Sequence, residues 1–326
     1  MIRLGIIGLG YIGQIHLRHS LRLSDAKVLA VADLSKKALA KAHEVGIKKI
    51  YVNYDRLLED PDIDAVVISL PTHLHLQCAR RAAEAGKHIF LEKPMARNTE
   101  EAKEILSVAA RNSVKLMMGY PLRFNTEFIK LKEKIRRGLL GDVVTAYASY
   151  ISTGPFFHRA EGYAPVPVPE WWFNKELTGG GVLIDLGSHI INLLRWYFGE
   201  VQDIRSQLTY RLRMDFEDGA ICLARFTSGT SAIINVGWFS QAHQLRVELS
   251  GSVENAIADH SPPSNVETAI QLLTSGVSEF LRPHFSELQY FASCIAGDHE
   301  PSPSGIDGVK DMETISAAYA NELHFS

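Results

Sequence analysis

Three groups of residues in this chain have types and spacings that can do chemistry. The first is Gly8, Gly10 and Gly13 in GLGYIG, a G-x-G-x-x-G run enclosing Tyr11 and Ile12, with Asp33 twenty residues after Gly13. Glycines allow a tight turn and a close backbone approach to a pyrophosphate, which the positive end of a helix then holds. An acidic residue at that distance accepts hydrogen bonds from a ribose diol and repels a 2′-phosphate. The chemistry is dinucleotide binding, with NAD favoured over NADP; Lys36 and Lys37 just beyond Asp33 pull the other way. The second group is Glu92-Lys93-Pro94, at the end of an apolar run. A residue before proline has its backbone held extended, which fixes the direction of Lys93, and the Lys93–Pro94 bond is one at which a cis peptide is accessible. The third is Asp185 and His189 in GGGVLIDLGSH, four residues apart and therefore on one face of a helix. Leu183, Ile184, Leu186, Ile190, Ile191, Leu193 and Leu194 make the rest of that helix apolar. A carboxylate and an imidazole on a buried element must meet each other, a lysine or a ligand. Imidazole titrates near neutrality, so such a pair can exchange a proton.

These groups need a scaffold. Residues 2–7, 27–33, 64–70, 87–91 and 114–118 read as buried strands, and 11–23, 35–45, 73–85 and 99–111 as the helices between them, with Ser35 and Thr99 as caps. Alternation of strand and helix predicts a doubly wound parallel α/β sheet, a Rossmann domain over residues 1–120. After a helix over 127–137, alternating segments at 143–151, 204–214, 220–226, 230–239 and 245–250 predict a large, mostly antiparallel open sheet. Asp218-Gly219 and Ser228-Gly229 read as its hairpin turns. The second domain is thus α+β, residues 121–326, for substrate binding and oligomerisation; its last helix, about 305–323, is placed to pack back on the first domain. Gly154–Pro169, with four prolines, reads as a long ordered loop over a pocket.

Composition removes other classes. The chain has 326 residues, 46% apolar and 22% charged, with net charge −3. One core rarely grows past about 250–300 residues, which argues for two domains. Near-neutral charge gives no nucleic-acid footprint, and no apolar run is expected to reach the roughly 18–20 residues of a spanning helix, which argues against an integral membrane protein. Cys78, Cys222 and Cys294 are odd in number and far apart, as reduced cytoplasmic thiols are. The chain contains no H-E-x-x-H or C-x-x-C, and His73 and His75, two apart, do not share a helix face, so no metal is expected.

GLGYIG with Asp33, then Pro71-Thr72-His73-Leu74-His75, then Glu92-Lys93-Pro94, then GGGVLIDLGSH, in this order, resembles the glucose–fructose oxidoreductase / inositol dehydrogenase / MocA (Gfo/Idh/MocA) family over nearly the whole length. The resemblance implies NAD(P)-dependent hydride transfer between the cofactor and a secondary alcohol or ketone of a sugar, a myo-inositol-like cyclitol or a nucleotide sugar, in a cytoplasmic homodimer or homotetramer with no nucleic-acid or membrane partner. It implies that Pro71, Thr72, His75, Glu92 and Lys93 lie at the cofactor, and that Lys93, Asp185 and His189 are catalytic. In this scheme His189 takes the proton, Lys93 hydrogen-bonds the reacting oxygen and Asp185 orients the imidazole; a proton relay through Lys93 stays open. Asn192 stands where many members have Asp, three residues after the histidine. Arg123 and Trp172 are expected at the substrate, with His158, Arg159 and Lys175 within reach of hydroxyls or phosphates. A non-catalytic dinucleotide sensor on the same fold, or an imine or enone reductase, are the rival readings; a sensor has no need for a proton path.

Overall fold

Five short runs of mostly buried apolar residues and one half-buried edge run become strands β1 (Ile2–Ile7), β2 (Ala26–Ala32), β3 (Lys49–Tyr51), β4 (Ala65–Ile68), β5 (His88–Glu92) and β6 (Leu116–Gly119), β3 being the half-buried one. The computed structural model describes residues 1–159, 162–165, 168–261 and 282–323. All six strands pair in parallel, in the order β3-β2-β1-β4-β5-β6. Parallel sheets carry helices on both faces, which is why these strands read as continuous apolar runs. The order reverses between β1 and β4, so a crevice opens at their carboxyl ends.

The chain divides into two compact units. The first takes Met1–Pro121 and also Leu281–Val309. The helix Arg282–Ala296 lies on the helix Tyr11–Ser20 and against β1, β5 and β6, with Phe291 edge-on to Phe90 at 5.8 Å. The Met118 N–H donates to the Pro303 carbonyl at 3.0 Å. The domain expected to end at residue 120 is therefore completed by this later stretch. An apolar helix face, with Leu288, Phe291 and Ala292 all buried, covers the sheet.

The second unit, Leu122–Phe280 with Lys310–Ser326, is built on β7 (Val143–Ile151), β10 (Val201–Thr209), β11 (Gly219–Phe226), β12 (Ser231–Gly237), β13 (Gln244–Gly251) and β14 (Asn255–Asp259). A separate hairpin is made by β8 (Phe156–Arg159) and β9 (Gly162–Pro165). The sheet order is β10-β11-β12-β7-β13-β14, antiparallel except for the parallel pair β7–β12. Burial alternates along β11 to β14, the signature of one packed face.

Several local expectations shift. Asn98, not Thr99, caps the helix Thr99–Arg111, its side-chain oxygen accepting from the Glu101 N–H at 2.9 Å. Asp218-Gly219 is no two-residue turn: β10 stops at Thr209, and Asp218 ends the connection, its carboxylate taking the Leu212 N–H. Ser228-Gly229 does form the β11–β12 hairpin, with Gly229 at φ +89°. The loop expected at 154–169 contains the β8–β9 hairpin; the His158 and Arg159 side chains lie outside the described residues. Lys175–Phe198 is long and apolar enough to span a bilayer by length and composition, against the expectation of no such segment. Its apolar 18-residue window is 83% buried and so serves as core.

Candidate active site

In the first unit, β1 runs into Gly8, whose φ of +90° an L side chain rarely adopts. A Cβ there would sit 2.5 Å from the Ser69 carbonyl oxygen, and one on Gly13 would sit 2.0 Å from the Gly8 carbonyl oxygen. These two glycines are required by the turn itself. Gly10 is different: its φ is −63° and a Cβ on it meets no described atom within 4 Å. Gly10 is the N-cap of the helix Tyr11–Ser20, with no side chain capping the free N–H groups. An uncapped helix end behind an open glycine is what an incoming diphosphate needs. Asp33 is tied down by the Leu9 and Ser35 N–H groups, at 2.6 Å each. A carboxylate has about four acceptor sites, so capacity remains for a ribose diol. These residues fit a bound dinucleotide.

We expect Gly10→Ala to leave the melting temperature unchanged while weakening NAD binding at least about tenfold, because the methyl fills ligand space, not protein space. Gly13→Ala lowers both. Differential scanning fluorimetry and a fluorescence titration with NADH read the two effects.

The next loop follows β4. Thr72 is buried and Pro71 half-buried. His75, 1% exposed, has Nε2 2.9 Å from the Leu70 carbonyl and Nδ1 3.0 Å from the Pro94 carbonyl. Its ring thus ties the β4 loop to the turn after β5, and burial lowers its pKa. Both ring nitrogens are engaged within the unit, a positioning role for the loop that the resemblance puts at the cofactor. Lys93 is half-buried at the carboxyl end of β5, and the Lys93–Pro94 bond is cis. Glu92, named above as a cofactor residue, points into the interior and meets the His16 Nε2 at 2.6 Å.

In the second unit the three glycines have separate reasons. Gly179 takes φ +86° to end the helix Lys175–Thr178; a Cβ on Gly180 would strike the Tyr319 hydroxyl at 2.3 Å, and one on Gly181 the Glu217 carbonyl oxygen at 2.0 Å. The expected helix is divided into a π turn, Leu183–Gly187, and the α-helix Ser188–Phe198. Asp185 lies on the wide turn and His189 on the first α turn, and π turns of this kind concentrate at functional sites. His189 packs against the Tyr150 ring at 5.8 Å. Sequence reasoning missed Glu217, whose buried carboxylate accepts from the Gly181 and Leu183 N–H groups and the Tyr319 hydroxyl. It anchors the start of the π turn, and burial raises its pKa.

Arg123 does not sit open to a substrate. It is buried, with Nε 2.7 Å from the Asn192 Oδ1 and the guanidinium 5.9 Å from the Trp196 ring centre. Asn192 passes the interaction on, its Nδ2 donating to the Asp311 Oδ2 at 2.6 Å. An aspartate at 192 would lose that donation and repel Asp311, which accounts for the amide in this chain. Trp172, half-buried on the turn Glu170–Phe173, lies 6.2 Å from the Trp238 ring and 5.7 Å from that of Trp171.

Comparison with known proteins agrees with this geometry. Residues 2–120 match the profile of the oxidoreductase family with an NAD-binding Rossmann fold, GFO_IDH_MocA. Residues 128–255 match the GFO/IDH/MocA C-terminal domain. The chain is 30% identical to the uncharacterized oxidoreductase YrbE of Bacillus subtilis, covering 96% of this chain and 92% of that protein. It is 27% identical to myo-inositol 2-dehydrogenase of Thermotoga maritima, covering 94% and 92%. Scyllo-inositol dehydrogenase of Lactobacillus casei, crystallised with NAD(H) and scyllo-inositol, superposes with TM-score 0.82 at 22% identity over 99% and 97% of the two chains, a likeness of fold. Glycine turn, acidic strand end, lysine at β5 and the two matched domains together place the chain in the Gfo/Idh/MocA family of NAD-binding oxidoreductases.

Proposed function

We propose that the protein is an NAD-dependent dehydrogenase acting on a secondary alcohol of a cyclitol or sugar. The observation that carries this reading is Lys93, held at the carboxyl end of β5 in the same unit and sheet as the glycine turn. NAD, when bound, supplies the hydride acceptor. Lys93 donates a hydrogen bond to the reacting oxygen and favours its alkoxide character. His189 receives the hydroxyl proton, and Asp185 orients the imidazole or holds a second hydroxyl. Trp172 offers a flat apolar surface to a sugar ring. Asp33 supports NAD over NADP, since its carboxylate would repel a 2′-phosphate. The myo-inositol dehydrogenase relative supports a cyclitol as the first substrate class to try.

The test is a spectrophotometric screen of NAD and NADP against inositols, hexoses and nucleotide sugars. NADH formation on a cyclitol or sugar is the expected outcome; NADH consumption confined to imines or enones would sink the reading. We also propose a cytoplasmic homo-oligomer. Val144, Ile221, Leu223, Ile233 and Ile257 are exposed on strands of the second sheet, an apolar surface that a second copy can bury. Light scattering should show a dimer or tetramer, and Leu223→Lys a smaller species.

A further inference from the structure

Beneath Lys93, within the first unit, lies a cluster that the proposed dehydrogenase reaction does not use. His16 comes from the helix behind the glycine turn, Glu92 from the end of β5, and Glu287 from the helix Arg282–Ala296. His16 and Glu287 are fully buried and Glu92 nearly so. One potential ligand atom from each lies within 4.8 Å of the others. Only one contact in the cluster is a hydrogen bond, His16 Nε2 to Glu92 Oε1. Both Glu287 oxygens and the His16 Nδ1 have no hydrogen-bond partner among the described residues.

Such an arrangement is costly as it stands. Two carboxylates in an apolar interior, walled by Phe90 at 5.3 Å from the His16 ring, need either protons or a cation. A buried carboxylate with both oxygens unbonded points to an absent partner, because buried polar groups are otherwise satisfied. The ring of His284, carried by the same helix as Glu287, is 6.1 Å from that of His16.

We propose that His16, Glu92 and Glu287 bind a single divalent transition-metal cation of the zinc type. One imidazole and two carboxylates suit such an ion, whereas magnesium and calcium take oxygen ligands alone. The ion neutralises the two carboxylates and joins three elements: the helix opening on the glycine turn, the strand carrying Lys93 and the later helix that covers both. Its role is structural, and it stands whether or not Lys93 proves catalytic.

The test uses the full chain, dialysed against a chelator and titrated with zinc chloride by calorimetry, with bound metal counted by elemental analysis. One ion per chain, a rise in melting temperature with zinc, and proton release that grows as pH falls are expected. Glu287→Gln should weaken binding by at least about 100-fold, beyond the loss typical of an outer-shell partner. Cobalt substitution of the wild type keeps the test independent of how the variant folds: ligand-field bands without thiolate charge transfer are expected. Absence of saturable zinc binding, unchanged affinity in Glu287→Gln, or a thiolate signal from the cysteines would each overturn the proposal. A Glu287→Gln protein that melts higher than a zinc-indifferent wild type would show that protons alone neutralise the cluster.

Discussion

Replacing Lys93 with methionine is expected to lower turnover about 10²–10³-fold, the usual loss for one donor aimed at developing oxygen charge. NAD affinity should change less than about threefold, since the glycine turn and Asp33 are untouched. Methionine keeps the length and apolar stem of lysine and removes only the ammonium. The turn that carries it is fixed by groups the substitution leaves in place: the His75 ring against the Pro94 and Leu70 carbonyls, and the Lys93 N–H donating to the Glu92 carboxylate at 3.2 Å. The variant should therefore fold normally. Steady-state kinetics with the substrate found in the screen separates the possibilities. A fall in kcat and kcat/KM together means that the ammonium acts in the transition state; unchanged kcat removes Lys93 from the reaction.

The largest stability effect is expected at Arg195. Its side chain, 3% exposed, bonds Asp311 at 2.6 Å and Glu200 at 2.7 Å. Arg195→Met leaves Asp311 a buried carboxyl with the Asn192 hydrogen bond and the more distant Arg123 charge, a loss of about 3–5 kcal/mol. At roughly 2–4 °C per kcal/mol for a unit of this size, melting should fall by about 10 °C. The deficit has a pH signature. Burial pushes the Asp311 carboxyl up to about 6 from 3.8 although Arg195 opposes this, and the guanidinium itself stays charged throughout. A folded-state value above the unfolded one means that folding takes up a proton in this window. The Asp311 contribution is therefore fullest below pH 3.8 and is lost as pH rises through about 6. Without Arg195 the carboxyl rises further, so the variant's deficit should widen from acid to neutral pH. Removing Asp311 as well should recover much of it. Thermal melts across pH check both statements, and a pH-independent deficit would refute the linkage.

How much of this was legible in the residues depended on the range of the interaction. Gly8, Gly13 and Asp33 act through backbone rules within one β-α-β segment, so their spacing alone predicted the turn. The first sheet followed from apolar runs bounded by turns, and Ser35 was readable as a cap because its oxygen serves an N–H three residues on. Contacts between distant residues were not readable. Glu217 meets Gly181 and Tyr319 across long separations, and nothing near it in the chain marks it as an anchor. Arg123 was placed at the substrate because it follows the last parallel strand; its true neighbour, Asn192, is 69 residues away. β3 and β14 were missed because each is short, three and five residues.

The return of residues up to Val309 to the first unit has a consequence for biosynthesis. The hydrogen bond from Met118 to Pro303 and the packing of Phe291 on Phe90 join segments whose translation is separated by almost two hundred codons. As the polypeptide leaves the ribosome, residues 1–121 must wait, partly uncovered, until the stretch Leu281–Val309 has been made. A fragment cut after residue 121 would bare the same greasy surface, so it should precipitate unless helix Arg282–Ala296 is supplied in trans.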